Sequence, residues 1–158
     1  MNKELLCELF DYKNGELYWK SNRGKVKAGS VAGRLATGTY KQVKINYQSY
    51  LNHRLIFLMH HGYMPDYVDH INGNKTDNRI ENLREATKNQ NQHNRKISTN
   101  STSNVKGVFW HKRDKKWQVH IGTDSKLKYF GSFTDLELAE LVATEARNKY
   151  HGEYANHG

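Results

Sequence analysis

The chain has 158 residues, of which 36% are hydrophobic, and a net charge of +9. This length allows one domain or two small ones with modest cores, and the excess of Lys and Arg favours a polyanionic partner. A single cysteine, Cys7, excludes an internal disulfide and a Cys-rich structural zinc site, while no signal peptide or apolar run of about 18 residues is visible, so we expect a soluble, cytoplasmic protein.

Periodicity predicts a helix and two strands in the first part of the chain. Residues 15–20 and 40–46 alternate between apolar and polar positions, as half-buried strands do, with Val43 and Ile45 on one face. Residues 21–38, between the strands, are rich in Gly, Lys and Arg and should form loops that either contact phosphates or are simply solvated. Before them, residues 2–10 favour a helix with an apolar stripe made of Leu5, Leu6, Leu9 and Phe10.

A second helix is predicted over residues 51–59, which are strongly apolar. Gly62 follows at the position where a helix would end, because glycine readily adopts the left-handed conformation of a C-terminal cap. His53 lies at the start of this helix, and we interpret it as a half-buried structural residue.

Residues 68–94 form a stretch rich in Asn, Asp and His. Val68 leads into Asp69 and His70 as a short strand would, and residues 72–74, Asn-Gly-Asn, predict a turn because Asn and Gly tolerate positive φ. A solvated Asn-rich loop is the alternative interpretation of this stretch.

A second short strand and a helix are predicted to follow this turn. Residues 82–84 suit the strand, and residues 86–95 suit the helix, with Thr87 as a candidate N-cap. A strand, a loop, a strand and a helix in this order can bring four polar side chains to one point: Asp69, His70, Asn82 and Asn91.

These four side chains suit the hydrolysis of a phosphodiester bond. Mg²⁺ takes oxygen ligands, often only one or two from the protein, and Asp69 and Asn91 offer such oxygens. The imidazole of His70 can take a proton from water, since its ordinary pKa of about 6.5 lies near neutral pH. The amide oxygen of Asn82 can hold the other ring nitrogen, while a metal stabilises charge on the phosphate and on the leaving oxygen.

The stretch resembles the core of the HNH endonucleases, the ββα-metal type found in phage and homing enzymes. The similarity rests on the DHINGN run, the NLR tripeptide and the Asn-x-x-Asn of Asn91 and Asn94. It implies that Asp69 and Asn91 bind Mg²⁺, with Mn²⁺ as an alternative and without a structural zinc. His70 is then the general base, and Asn82 orients it. Asn91 stands where many members have His, as in one HNH subgroup.

The composition changes after Asn94. Residues 96–104 are rich in Ser, Thr and Asn, as linkers are. Three strands are then predicted over residues 105–110, 117–122 and 126–133, with turns at 114–116 and 123–125.

The last element predicted is a helix that ends near Tyr150. Thr134 and Glu137 fit a capping box at its start. Its apolar stripe would consist of Leu138, Val142, Ala146 and Tyr150. In the middle strand before it, alternation predicts that Trp117, Val119 and Ile121 face the helix while Gln118 and His120 face the other side.

Residues 105–156 resemble the APETALA-type (ethylene-response-factor) DNA-binding domain, which also occurs attached to phage HNH nucleases. The similarity rests on KGVFW, KWQVHI, YFGSF and the terminal GEYA. It implies double-stranded DNA as partner. Several DNA-facing positions are Arg or Trp in the plant relatives, and their absence argues against direct guanine readout. The matching positions are Phe109, His111, Gln118, His120 and Tyr129, with phosphate contacts expected from Lys112, Arg113, Lys115 and Lys116.

Together these patterns predict an α+β protein. A ββα-metal HNH nuclease domain covers residues 1–95, with its core at 67–95, and a linker covers 96–104. Residues 105–158 form a DNA-binding domain, a three-stranded antiparallel sheet packed on one helix. The predicted function is a divalent-metal-dependent DNA endonuclease of nicking or homing type, monomeric and, if phage-encoded, acting in the bacterial host cytoplasm. The alternatives are a DNA-binding regulator with an inactive core and an RNA-directed nuclease.

Overall fold

A computed structural model describes residues 1–36, 40–95, 97, 101–123 and 126–158. These residues divide into two compact units, Met1–Thr87 and Lys88–Gly158. Both units mix helices with small antiparallel sheets, which agrees with the predicted α+β class. Within the described ranges, no helix is both long enough and apolar enough to cross a membrane.

The first unit begins with a helix and a two-stranded hairpin: α1 (Lys3–Leu9), β1 (Phe10–Lys13) and β2 (Glu16–Trp19). Strand β1 was not predicted. Phe10 leaves the helix because it pairs with Trp19 across the hairpin, where the two ring centroids lie 4.6 Å apart. The predicted stripe is therefore correct for Leu6, which is buried, whereas Leu5 is exposed.

A three-stranded sheet and a helix follow: β3 (Arg34–Leu35), β4 (Lys41–Ile45), β5 (Gln48–Leu51) and α2 (Asn52–His61). Val43 and Ile45 are both buried, as the alternation predicted. Helix α2 ends at Gly62, whose φ of 80° confirms the predicted left-handed cap. Leu55 and Ile56 of α2 pack with these strands in the main core of this unit, so the helix is anchored along its length.

The polar stretch forms a second antiparallel pair, β6 (Tyr67–His70) and β7 (Leu83–Ala86). Both predicted strands are present, but Asn82 ends a 3-10 turn over Ile80–Asn82 rather than beginning β7. The register places Asp69 opposite Arg84 and His70 opposite Leu83. The end of β6 therefore presents two chemically active side chains beside a structured loop.

The second unit contains two helices and a three-stranded sheet: α3 (Lys88–His93), β8 (Val108–His111), β9 (Lys116–Gly122), β10 (Leu127–Phe133) and α4 (Leu136–His151). The strands are antiparallel in the order β10-β9-β8, and α4 packs on the sheet. Helix α3 is shorter than predicted and belongs to this unit, so the structural division falls before the predicted domain boundary at residue 95. The predicted linker and the turn at 123–125 lie partly outside the described residues.

For α4, the expected N-cap was wrong by one residue and the expected apolar stripe was correct only in part. The N-cap is Asp135, not Thr134, and its Oδ1 accepts from the backbone N–H of Glu137 at 2.7 Å and of Leu138 at 3.3 Å. The buried stripe follows Ala139, Ala143 and Ala146, so the predicted stripe is correct for Ala146 and in part for Val142, which packs against the core, whereas Leu138 is exposed. Small residues let the helix lie close to the sheet, where Val119 and Ile121 are buried against it as predicted.

Candidate functional site

A polar loop between β6 and β7 is closed by two asparagine side chains. The Oδ1 of Asn82 accepts from the backbone N–H of Asn72 at 3.0 Å, and its Nδ2 donates to the carbonyl oxygen of Asp77 at 2.7 Å. The same Nδ2 donates to Asn72 Oδ1 at 3.1 Å. Gly73 has a φ of 66°, which suits the predicted turn. Hydrogen bonds of these two asparagine side chains thus hold the loop from within.

An ion pair on the outer side of this loop adds to its order. The guanidinium of Arg79 donates from Nε to Asp77 Oδ1 at 2.8 Å and from Nη2 to Oδ2 at 2.7 Å. These hydrogen bonds, helped by one from Asn72 at 2.8 Å, hold the pKa of the Asp77 carboxyl well below its usual range. Asp77 therefore stays ionised and links Arg79 to Asn72 within the loop.

Asp69 lies on β6 and is only 4% exposed. Arg84, its partner in the strand register, donates to Asp69 Oδ2 from Nε at 3.0 Å and from Nη2 at 2.9 Å. A buried carboxylate needs such charge-assisted hydrogen bonds, because desolvation of an unpaired charge is costly. Arg84 thereby holds the carboxylate in one orientation, and an anionic oxygen donor of this kind fits a hard cation such as Mg²⁺.

His70 ends β6 and is also 4% exposed. Its Nε2 lies 2.9 Å from the Oδ1 of Asn78, which is itself 2% exposed. Because an amide oxygen only accepts, this contact favours the tautomer with the proton on Nε2, which makes Nδ1 the basic nitrogen. Burial lowers the pKa of His70, partly opposed by the Asn78 hydrogen bond and by the charge of Asp69.

The side-chain amide that contacts His70 Nε2 is that of Asn78 rather than the expected Asn82, and which of the two orients the base stays a prediction. The amide of Asn82 is engaged by the backbone of the loop and by Asn72, so its oxygen is already used. Sequence reasoning missed Asn78 because it lies in a loop, where no periodic pattern marks a side chain that turns inward. Asn82 acts indirectly, because its hydrogen bonds shape the loop that carries Asn78.

Two further rings surround His70. His53 lies with its ring centroid 5.0 Å from that of His70, at an interplanar angle of 64°, and Tyr40 lies 5.0 Å from His53 and 6.1 Å from His70. His53 is 5% exposed, so it is more deeply buried than expected. Burial first, and then the neighbouring His70 and Arg54, lower the pKa of His53 to about 3. Its imidazole is consequently uncharged at neutral pH.

Asn91, the second expected metal ligand, lies on α3 in the second compact unit. Asn94 is buried there, where Asn156 Nδ2 donates to its carbonyl oxygen at 3.0 Å and its Oδ1 at 3.1 Å. Asp69 belongs to the first unit, so a shared ion between Asp69 and Asn91 stays a prediction. Across the described residues, no group of three or more His, Cys, Asp or Glu side chains is gathered as a metal cluster would be.

Four side chains expected to face DNA share one face of the β8–β9–β10 sheet. Phe109 is opposite Gln118, and Tyr129 is opposite His120. The His120 ring lies 6.2 Å from Phe109 and 5.1 Å from Tyr129, between centroids. Phe109 and Tyr129 are 56% and 55% exposed, so this face carries a row of solvent-exposed aromatic rings.

The remaining positions expected to face DNA cluster at one end of this sheet. His111 is opposite Lys116 in the register, and its Nδ1 lies 3.1 Å from Asp114 Oδ2. The exposed basic side chains of the turn between β8 and β9 lie next to this pair: Lys112, Arg113 and Lys115. The sheet face with the exposed aromatic rings therefore has a basic edge.

Comparisons with known proteins match the part of the chain that carries this site. An HNH endonuclease family model matches residues 50–93, which include Asp69, His70, Asn78 and Asn82, and this match suggests a nuclease. Protein 3.8 of Escherichia phage T7 is 30% identical over 119 residues, which cover 74% of this chain and 95% of the phage protein. No solved structure matches the chain.

The family match stops at residue 93, so the resemblance of the C-terminal part to APETALA-type domains stays a prediction. The phage relative, in contrast, is covered along almost its whole length. The chain therefore belongs to the family of phage T7 protein 3.8 and contains an HNH endonuclease domain.

Proposed function

We propose that this protein is a DNA endonuclease that hydrolyses phosphodiester bonds with the help of a divalent metal ion. The observation that carries this proposal is the adjacent, buried pair Asp69 and His70 at the end of β6, with His70 Nε2 held by Asn78 at 2.9 Å. Both residues lie within the segment that the HNH endonuclease model matches. A buried carboxylate beside an oriented, uncharged imidazole is suited to phosphodiester hydrolysis.

In the proposed reaction, His70 acts as the general base. With the proton on Nε2 shared with Asn78, Nδ1 accepts a proton from water as the water oxygen attacks phosphorus in line with the departing 3′ oxygen. The lowered pKa keeps His70 uncharged at neutral pH and thus able to accept that proton. The products, by similarity to HNH nucleases, carry 5′-phosphate and 3′-hydroxyl ends.

We propose Asp69 and Asn91 as the residues that hold the metal, Mg²⁺ or Mn²⁺. When bound, a divalent ion supplies Lewis-acid stabilisation of charge on the phosphate and the leaving oxygen. Asp69 suits this role because its carboxylate is held in place by the guanidinium of Arg84. One such core in each chain is consistent with a monomer that nicks one strand at a time.

The second unit is proposed to bind double-stranded DNA through the face of its sheet. The exposed rings of Phe109 and Tyr129 and the basic turn with Arg113 support this role, as does the net charge of +9. Basic side chains would contact phosphates, whereas Gln118 and His120 would reach base edges. Because the second unit is attached to the nuclease, it would then raise the effective concentration of the nuclease at a bound site.

Incubation of supercoiled plasmid with the full chain, in Mg²⁺ or in EDTA, tests the proposed function. We expect relaxed or linear plasmid in Mg²⁺ only, and no cleavage by His70→Ala, which should still retard DNA in a gel. Cleavage by His70→Ala would remove that residue from its role. DNA retardation without cleavage by the wild-type chain would indicate a DNA-binding regulator instead, and preferential competition by structured RNA would indicate an RNA-directed nuclease.

A further inference from the structure

His53 is a buried imidazole whose presence is not explained by packing. It lies in the first turn of α2, 5% exposed, and its Nδ1 is buried without a hydrogen-bond partner among the residues that the structure describes. Leaving a buried polar group unpaired lowers the stability of the fold. Phenylalanine would fill a similar volume without that cost. A buried polar atom with no partner in a native fold therefore needs another explanation.

The neighbours of His53 point to the proposed cleavage site. Its ring meets the ring of His70 edge-on, with the centroids 5.0 Å apart, while Tyr40 lies 5.0 Å away on another side. The low pKa of His53 removes any role as a positive charge at neutral pH. What remains is a polar but uncharged ring in direct contact with the proposed general base.

We infer that His53 is a positioning residue for the cleavage reaction: its ring fixes the plane of His70, and its Nδ1 gains a hydrogen bond from the water that enters the site with the DNA. This inference rests on the proposed function. Functional sites commonly retain a group that costs stability in the free protein because it serves the bound state. His53 has the properties of such a group, since it is buried, unpartnered at Nδ1 and adjacent to His70.

The experiment compares three variants of the full chain in single-turnover cleavage of a short DNA duplex with Mg²⁺, and in thermal unfolding. His53→Phe retains a ring but loses the nitrogen, and we expect a higher midpoint temperature with a cleavage rate at least tenfold lower and an unchanged Kd for DNA in EDTA. His53→Asn places an amide near the position of Nδ1, and we expect it to restore part of the rate. The matched control, His61→Phe, makes the same change at the exposed end of α2 and should cleave as the wild type does.

A purely structural histidine would give a different result. If His53→Phe cleaves within twofold of the wild type, or if His53→Asn is as slow as His53→Phe, the inference is wrong while the proposed function stands. If the wild-type chain itself shows no Mg²⁺-dependent cleavage, the proposed function is wrong, and the inference falls with it.

Discussion

Arg84 and Asp69 face each other across the β6–β7 pair, and two guanidinium nitrogens of Arg84 lie 3.0 and 2.9 Å from one carboxylate oxygen, Oδ2. Both side chains are largely buried. The pair links the strand register to the chemistry of the site, because the residue that pairs with Asp69 in the sheet is also the one that neutralises it.

Loss of Arg84 should therefore destabilise the first unit strongly. Arg84→Met leaves a buried carboxylate without its cation, and we expect the free energy of unfolding to fall by about 3–5 kcal/mol. Urea denaturation at neutral pH measures this change. Arg79→Met is the control, because it breaks the more exposed pair with Asp77 and should cost at most about 1 kcal/mol. Equal losses in the two variants would contradict the buried role of Arg84.

The orienting role assigned to Asn78 predicts a specific loss of catalysis. Asn78→Ala removes the acceptor from His70 Nε2, so we expect the single-turnover cleavage rate to fall by about 10²-fold, while DNA binding in EDTA persists. Asn82→Ala is the comparison, since Asn82 closes the loop, and we expect it to lower the midpoint of unfolding as well. A cleavage rate for Asn78→Ala close to that of the wild type would show that Asn78 does not orient the base.

The low pKa of His53 predicts acid sensitivity. The folded pKa of about 3 lies below the ordinary value of 6.5, so the unfolded chain binds the proton more readily. Above about pH 6.5, His53 does not reduce the free energy of unfolding. As the pH falls towards 3, proton binding by the unfolded chain lowers that free energy, by about 2 kcal/mol at pH 5. Urea denaturation between pH 7 and 5 should show this loss in the wild type and a smaller slope in His53→Phe. Parallel slopes would rule out His53 as the source.

The cap of α4 can be tested with neighbouring substitutions. Asp135→Ala removes the acceptor of two backbone N–H groups, and we expect a loss of about 1 kcal/mol in thermal unfolding followed by helical circular dichroism. Thr134→Ala should change stability by only a few tenths of that amount. A larger loss of stability for Thr134→Ala than for Asp135→Ala would show that Thr134 is the N-cap, as the capping-box pattern indicated.

Phosphate contacts by the β8–β9 turn predict a change in salt dependence. Arg113→Gln should weaken DNA binding similarly for different sequences and reduce the slope of log K against log salt by about 1. Fluorescence anisotropy with the full chain in EDTA measures both. Lys149→Gln, at the end of α4, is the control and should leave the slope unchanged. An unchanged slope for Arg113→Gln would place the DNA contact elsewhere.

Local patterns in the sequence were sufficient for several elements. Alternation identified the buried face of β4 at Val43 and Ile45, and glycine chemistry identified the end of α2 at Gly62. The Asp69-His70 pair could be found because the residue types required for hydrolysis occur together at the end of a short strand. These features depend on neighbours along the chain, so the sequence by itself determined them.

Contacts between distant residues decided the rest. Phe10 joins a strand rather than a helix because Trp19 pairs with it, and the stripe of α4 follows Ala139 because the sheet accepts small side chains. The partner of His70 is Asn78 because the loop between β6 and β7 turns it inward. Only the tertiary structure could make that choice, since several asparagines in the loop share the same chemistry and differ solely in where the fold directs their oxygens.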